Sequence, residues 1–148
     1  MSHPDLADEA LSKWEAIADC WDTHVGRDGN KYWRVLQEPC LRRMLSEQLA
    51  CKPNLRALDV ATGNGLCARW LKAEGVGEVI AVDGSALMLE TAKVHEGWDG
   101  IDWRVLDVTN EAHWDALLER EKNEVNCLFS SCWRLVRRRG SLVANLRV

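Results

Sequence analysis

Apolar positions along this chain follow two rhythms, one of period near 3.6 and one of short continuous runs. Leu6, Ala10, Leu11, Trp14, Ile17 and Ala18 recur at helical spacing behind Pro4 and Asp5, which predicts an amphipathic helix over residues 5–19. Gly26, Asp28, Gly29 and Asn30 then mark a turn or flexible loop. Pro39 interrupts the next helical pattern, so residues 31–37 and 40–51 read as two helices or one kinked helix. Within it, Arg42 and Arg43 beside Met44 and Leu45 read as a solvated face next to a buried one. After Pro53 and Asn54 the rhythm changes to short apolar runs: Ala57, Leu58 and Val60, then residues 79–82, 101–106, 125–129 and 142–146. Helical patterns separate them. Residues 66–74 end at Gly75 and Gly77, residues 85–95 start from Ser85 as N-cap with Met88 on the core side, and Asn110 caps a helix through Arg120 with Trp114, Leu117 and Leu118 as its apolar side. Strands alternating with helices predict an α/β fold with a parallel sheet.

The stretch RALDVATGNGLCARWL, residues 56–71, joins a strand to a helix through a turn of Ala61, Thr62, Gly63, Asn64 and Gly65. Glycine takes positive φ freely and lets backbone approach a ligand, and the helix that follows offers unpaired N–H groups at its positive end. Gly63, Gly65 and Ala68 also satisfy the G-x-G-x-x-G/A pattern of nicotinamide-binding enzymes, so the turn must be weighed with its neighbours. Asp59 stands in the strand before the turn, where a carboxylate repels phosphate and attracts a cation. Asp83, followed by Gly84 and Ser85, ends the second strand, where an acid can accept hydrogen bonds from ribose hydroxyls. Asp107, followed by Val108, closes the third. Each acid alone reads as a turn former, but three of them at one edge of a parallel sheet read as a binding rim.

LDVATGNG, AVDGSALMLETAK and WRVLDVTN, in that order, resemble three successive motifs of the class I S-adenosylmethionine-dependent methyltransferases. CWDTHVGRDGNKYWRVLQEPCLRRML resembles the N-terminal helical segment of their small-molecule members, so the likeness runs from about Trp21 to Asn110. The resemblance implies a Rossmann-like, doubly wound, mainly parallel sheet of about five strands with N-terminal helices. It implies one domain, with residues 1–54 a helical lid segment, 55–110 the cofactor-binding core and 111–148 a shortened C-terminal part. The implied cofactor is S-adenosyl-L-methionine, and its implied contacts are Asp59, Ala61, Thr62, Gly63, Asn64, Gly65, Asp83, Gly84, Ser85, Asp107 and Val108. The turn 61–65 would pass under the methionyl and ribose portion, with Asp59 ordering the amino-acid end directly or through water. Asp83 would take the ribose hydroxyls, and Asp107 or the backbone at Val108 would meet the adenine. The helix over residues 5–19 is a cover for the sheet or part of the lid, and Tyr32 and Trp33 are core residues or a cover for adenosine or sulfonium. No catalytic dyad stands out; His95 and His113 read as ordinary, and His24 alone is placed to merit a test.

Composition narrows the rest. The chain has 148 residues, 47% hydrophobic and 28% charged, enough for one domain with a core. A net charge of −4 gives no electrostatic case for nucleic acid, no apolar run approaches a membrane span, and the acidic N-terminus is unlike a secretory signal, so a cytoplasmic protein is expected. Cys20, Cys40, Cys51, Cys67, Cys127 and Cys132 form no C-x-x-C, and free buried thiols are expected rather than a metal site. Beyond Asn110 the resemblance thins: residues 130–139 leave a minimal crossover to strand five, and the sequence stops where relatives complete their sheet. That predicts an apolar strand edge able to pair with a second copy or a partner chain, with Arg137, Arg138 and Arg139 serving a helix end and solubility. The leading expectation is a methyltransferase acting on a small molecule, with activity reduced or lost through the shortened C-terminus. The alternatives are a non-catalytic interaction module pairing through the open edge, and a nicotinamide-dependent oxidoreductase, which Asp59 and the missing substrate domain disfavour.

Overall fold

The computed structural model describes residues 4–95, 99–120 and 127–130. Its elements are α1 (Pro4–Ala16), α2 (Ala18–Val25), a π-helical turn (Trp33–Gln37) running into α3 (Glu38–Met44), α4 (Ser46–Leu49), β1 (Arg56–Val60), α5 (Leu66–Ala73), β2 (Glu78–Asp83), α6 (Ala86–Val94), β3 (Ile101–Val105), α7 (Glu111–Arg120) and β4 (Cys127–Ser130). The four described strands pair in parallel in the order β3-β2-β1-β4. The fold is the expected Rossmann-like α/β arrangement. The predicted fifth strand at 142–146, its open edge, the crossover at 131–139 with its three arginines, and Cys132 lie outside the described residues.

Alternation along the strands builds the two halves of the core. Ala57, Val79 and Ala81 face one side, where Cys67, Ala68 and Leu71 of α5 cover them together with Trp33, Leu45 and Leu49. Leu58, Val60, Ile80 and Val82 face the other, under Leu117 of α7 and Leu106. Helices thus lie on both faces, and Met88 is buried as its position predicts. The chain winds outward from β1 through β2 to β3 and then returns to the opposite side of β1 as β4. That reversal falls at the carboxyl end of β1, the place where ligands of such sheets bind.

Three local expectations are settled or revised. The helix predicted over 5–19 is two helices that continue to Val25, because Ile17 leaves the helical region at φ −112° and ψ 6°. The bend sets Leu11 against Gly84 and Trp21 against Gly63, so both helices lie across the carboxyl rim. Of the two readings at Pro39 the structure takes the continuous path: the preceding turn widens, the Glu38 N–H donates to the Trp33 carbonyl, and proline falls in the first turn of α3, where its missing N–H costs little. Arg42 is also more than a solvated charge. It pairs with both Glu74 oxygens at 2.7 Å and with Glu38 at 2.8 Å, and lies over the Trp70 ring, tying α3 to α5. Trp33 packs edge-on against Trp70 in the core, whereas Tyr32 is exposed. Of the cysteines with described side chains, Cys67 alone is buried. Among the described residues, no helix is long and apolar enough to cross a membrane.

Candidate functional site

Asp59 occupies the penultimate position of β1, on the side of the sheet that α5 covers, and is 0% exposed. Its Oδ2 accepts a hydrogen bond from Thr62 Oγ1 at 2.6 Å, while Oδ1 has no partner among the described residues. Removal from water pushes this carboxyl up to about 7; the Thr62 hydroxyl and the nearby Ala68 amide oppose the change, and the Asp83 charge adds to it. Thr62 is tied to the next strand as well, its N–H donating to the Val82 carbonyl at 3.0 Å. Asp59 therefore holds the turn through Thr62 and is closed to solvent.

The turn that Asp59 and Thr62 hold has left-handed backbone at Ala61 (φ 55°), Gly63 (φ 58°) and Gly65 (φ 77°). Alanine in that region costs about 1 kcal/mol. Ala61→Gly should therefore raise stability by about 0.5 kcal/mol after glycine's extra unfolded-state freedom is counted, measurable as a higher urea midpoint with unchanged slope. The two glycines differ in use. A Cβ at Gly65 would stand 2.5 Å from the Trp103 ring and 3.2 Å from Ala92 Cβ, so this glycine serves packing between the turn, α6 and β3. Gly65→Ala should cost roughly 1–3 kcal/mol, read by chemical denaturation. A Cβ at Gly63 would meet only Trp21 Nε1, at an ordinary 3.6 Å, and Gly63 is half-buried.

Asp83 joins the turn to the second strand. Its Oδ2 accepts from the Gly63 N–H at 2.8 Å and its Oδ1 from the Ser85 N–H at 2.9 Å. Ser85 in turn caps α6, its Oγ accepting from the Met88 N–H at 3.1 Å. Each Asp83 oxygen keeps a further lone-pair direction, and the residue is half-buried. Gly84 follows, with Leu11 of α1 3.3 Å from where its Cβ would stand and the Asp107 Cα at 3.9 Å. The rim thus brings together Gly63, Asp83, Gly84 and the backbone at Asp107.

The remaining expected residues are placed differently. Thr62, Asn64 and Ser85 are buried in support of the turn and the α6 cap. Asp107 Oδ1 accepts from the Thr109 N–H at 2.8 Å and its hydroxyl at 2.7 Å, the pattern of a turn former, and the Asp107 N–H donates to His113 Nδ1 at 3.3 Å. The Val108 carbonyl accepts from Trp114 Nε1 at 2.8 Å. Sequence reasoning missed a second set of polar residues around the turn. Asn64 Nδ2 donates to Asp22 Oδ1 at 2.9 Å, His95 Nε2 lies 2.7 Å from the same oxygen, and Arg69 Nη2 donates to the Arg27 carbonyl at 3.0 Å. No local motif announces these residues; only Asn64, inside the glycine turn, offered a signal.

The family profile described as methyltransferase domain matches residues 57–141. Among solved structures, the chain is similar to a SAM-dependent methyltransferase from Anabaena variabilis, with a TM-score of 0.61 and 23% identity, covering 85% of this chain and 48% of that one. It is similar to a DhpI–SAH complex at TM-score 0.54 and 22% identity, covering 84% and 66% respectively. A DhpI–SAM–HEP complex aligns at TM-score 0.52 and 21% identity, covering 84% and 63%. The chain spans about half the length of the first of these structures and under two thirds of the length of the third. No curated protein matches it.

Proposed function

Because the chain belongs to the methyltransferase domain family, we propose that it binds S-adenosyl-L-methionine at the carboxyl rim of β1 and β2 and serves methyl transfer to a small-molecule acceptor. One observation carries the reading: Asp83, its two oxygens oriented by the Gly63 and Ser85 amides, stands beside an accessible glycine at the reversal of strand order. A carboxylate fixed in this way suits the paired hydroxyls of a ribose, since each oxygen has capacity for one more donor. The space a side chain would fill at Gly63 suits close approach of the adjoining part of a nucleoside. These residues fit the cofactor. DhpI, which the chain resembles in fold, has been solved with SAH and with SAM.

Asp83, Gly63 and Gly84 form the nucleoside contact, with the backbone at 107–108 beside it on the adenine side. Asp59, Ala61, Thr62, Asn64, Gly65 and Ser85 hold that contact in shape. Residues 1–54 serve as the helical cover and 55–110 as the cofactor core, with 111–148 as the C-terminal part of the one domain. When bound, S-adenosyl-L-methionine supplies a methyl group already activated on a sulfonium. The chain's task is then to align donor and acceptor and exclude water, which needs no dedicated acid or base. Trp21 and Leu11, lying over the rim, supply the exclusion.

Calorimetric titration with S-adenosylhomocysteine beside NADH tests the proposal. Heat of binding is expected with the first and none with the second. Binding of NADH alone would favour an oxidoreductase, and binding of neither would favour a non-catalytic module.

A further inference from the structure

Helices α1 and α2 lie over the rim with part of their apolar surface open: Trp14, Ile17 and Trp21 remain 47%, 44% and 38% exposed, while Ala18 is buried. Eight residues of helix such as α2 are marginal alone, so what fastens α2 to its neighbours decides its position. The structure supplies a polar clasp. One carboxylate oxygen, Asp22 Oδ1 on α2, accepts from Asn64 Nδ2 in the glycine turn at 2.9 Å and faces His95 Nε2 at the end of α6 at 2.7 Å. Asn64 Nδ2 also reaches the Gly26 carbonyl at 3.5 Å. Beneath it, Arg69 of α5, 1% exposed, donates to the Asn64 carbonyl and, at 3.0 Å, to the Arg27 carbonyl in the loop after α2. Helix α2 and the loop after it are thus fastened to the turn, to the end of α6 and to α5.

We infer that Asp22 is a positioning residue whose clasp with Asn64 and His95 gates cofactor exchange, holding α2 so that Trp21 closes over Gly63. The inference rests on the proposed cofactor site and adds to it a reason for the cover to open and shut. Trp21 Nε1 lies 3.6 Å from where a side chain at Gly63 would stand, so in this proposal a ligand against Gly63 meets α2 and its exchange is eased when α2 lifts. Hydrogen bonds of this kind part and re-form on exposure to water at modest net cost, whereas a packed apolar interface would not. Asp22 and His95 side chains are 22% and 17% exposed, within reach of water when the clasp parts.

The test uses the unaltered chain with Asp22→Ala, His95→Ala and His95→Gln, the last keeping an N–H donor toward Asp22. Amide hydrogen exchange is followed without ligand, and S-adenosylhomocysteine dissociation by stopped flow. The alanine variants should show faster exchange over residues 18–30, with exchange in β1 and β2 unchanged, and about tenfold faster dissociation. His95→Gln should restore both toward the unaltered values. Unchanged exchange over 18–30 in Asp22→Ala would overturn the clasp, whether or not ligand binds. Faster exchange with unaltered dissociation would overturn the gate while leaving the cofactor site standing. Failure of the unaltered chain to bind S-adenosylhomocysteine would remove the proposed site and the gate with it.

Discussion

Asp83→Ala is expected to weaken S-adenosylhomocysteine binding by roughly 1.5–3 kcal/mol, the range for losing hydrogen bonds to a charged group. The loss has two sources. The carboxylate that would receive the ribose hydroxyls disappears, and the Gly63 and Ser85 amides, held at 2.8 and 2.9 Å, lose the acceptor that fixes the turn relative to β2. Asp83→Asn separates the sources, since its one carbonyl oxygen can keep a single amide but not both. Its affinity should fall between those of the parent and the alanine variant. Titration calorimetry reads the affinities, with a urea melt of each variant to show that the fold persists. Equal affinity for the parent and Asp83→Ala would remove Asp83 from the site.

The second large effect concerns stability as a function of pH. An exposed aspartate in the unfolded chain titrates near 3.9, whereas burial pushes Asp59 up to about 7 in the folded protein. Between those values the native state keeps a proton that the unfolded state has released. Stability contributed by this residue therefore falls as pH rises from about 4 to 7 and levels off above that. In an Asp59→Asn variant the amide cannot ionise and can still accept the Thr62 hydroxyl. The variant's stability relative to the parent should rise through the window by at most about 1.4 kcal/mol per pH unit, reaching a few kcal/mol above pH 7. Urea unfolding of both proteins at half-unit steps from pH 4 to 8 makes the comparison. Parallel curves would mean that Asp59 is ionised in the folded state throughout.

Much of the fold was legible because its signals are local. The apolar runs at 57–60 and 79–82, the Ser85 and Asn110 caps and the glycine stops each depend on a few adjacent residues, and each marks an element in the structure. The rim of the sheet followed from strand order, which the alternation of strands and helices implies. What escaped notice depends on residues distant in sequence. Asp22 meets Asn64 across 42 positions and His95 across 73, separations at which no periodicity speaks. The bend at Ile17 was hidden because the apolar spacing continues through it, while the backbone turns to bring α2 over the rim. The acids illustrate the limit most clearly. Asp59, next to last in β1, is wholly enclosed; Asp107, two residues past the end of β3, is bound into its own turn; and Asp83, the last residue of β2, is held at the rim by the Gly63 amide. Sequence gives the position along a strand; packing decides which carboxylate stays open at the rim. Gly63 and Gly65 differ for the same reason, since Trp103 comes from β3 to fill the space above only one of them.

A crystal structure of the chain grown with S-adenosylhomocysteine tests the central claim most directly. The expected result is the ribose hydroxyls on the Asp83 carboxylate, with the ligand lying against the Gly63 backbone beneath Trp21. A nucleoside bound elsewhere, or an Asp83 carboxylate engaged with protein alone while ligand occupies the crevice, would contradict it.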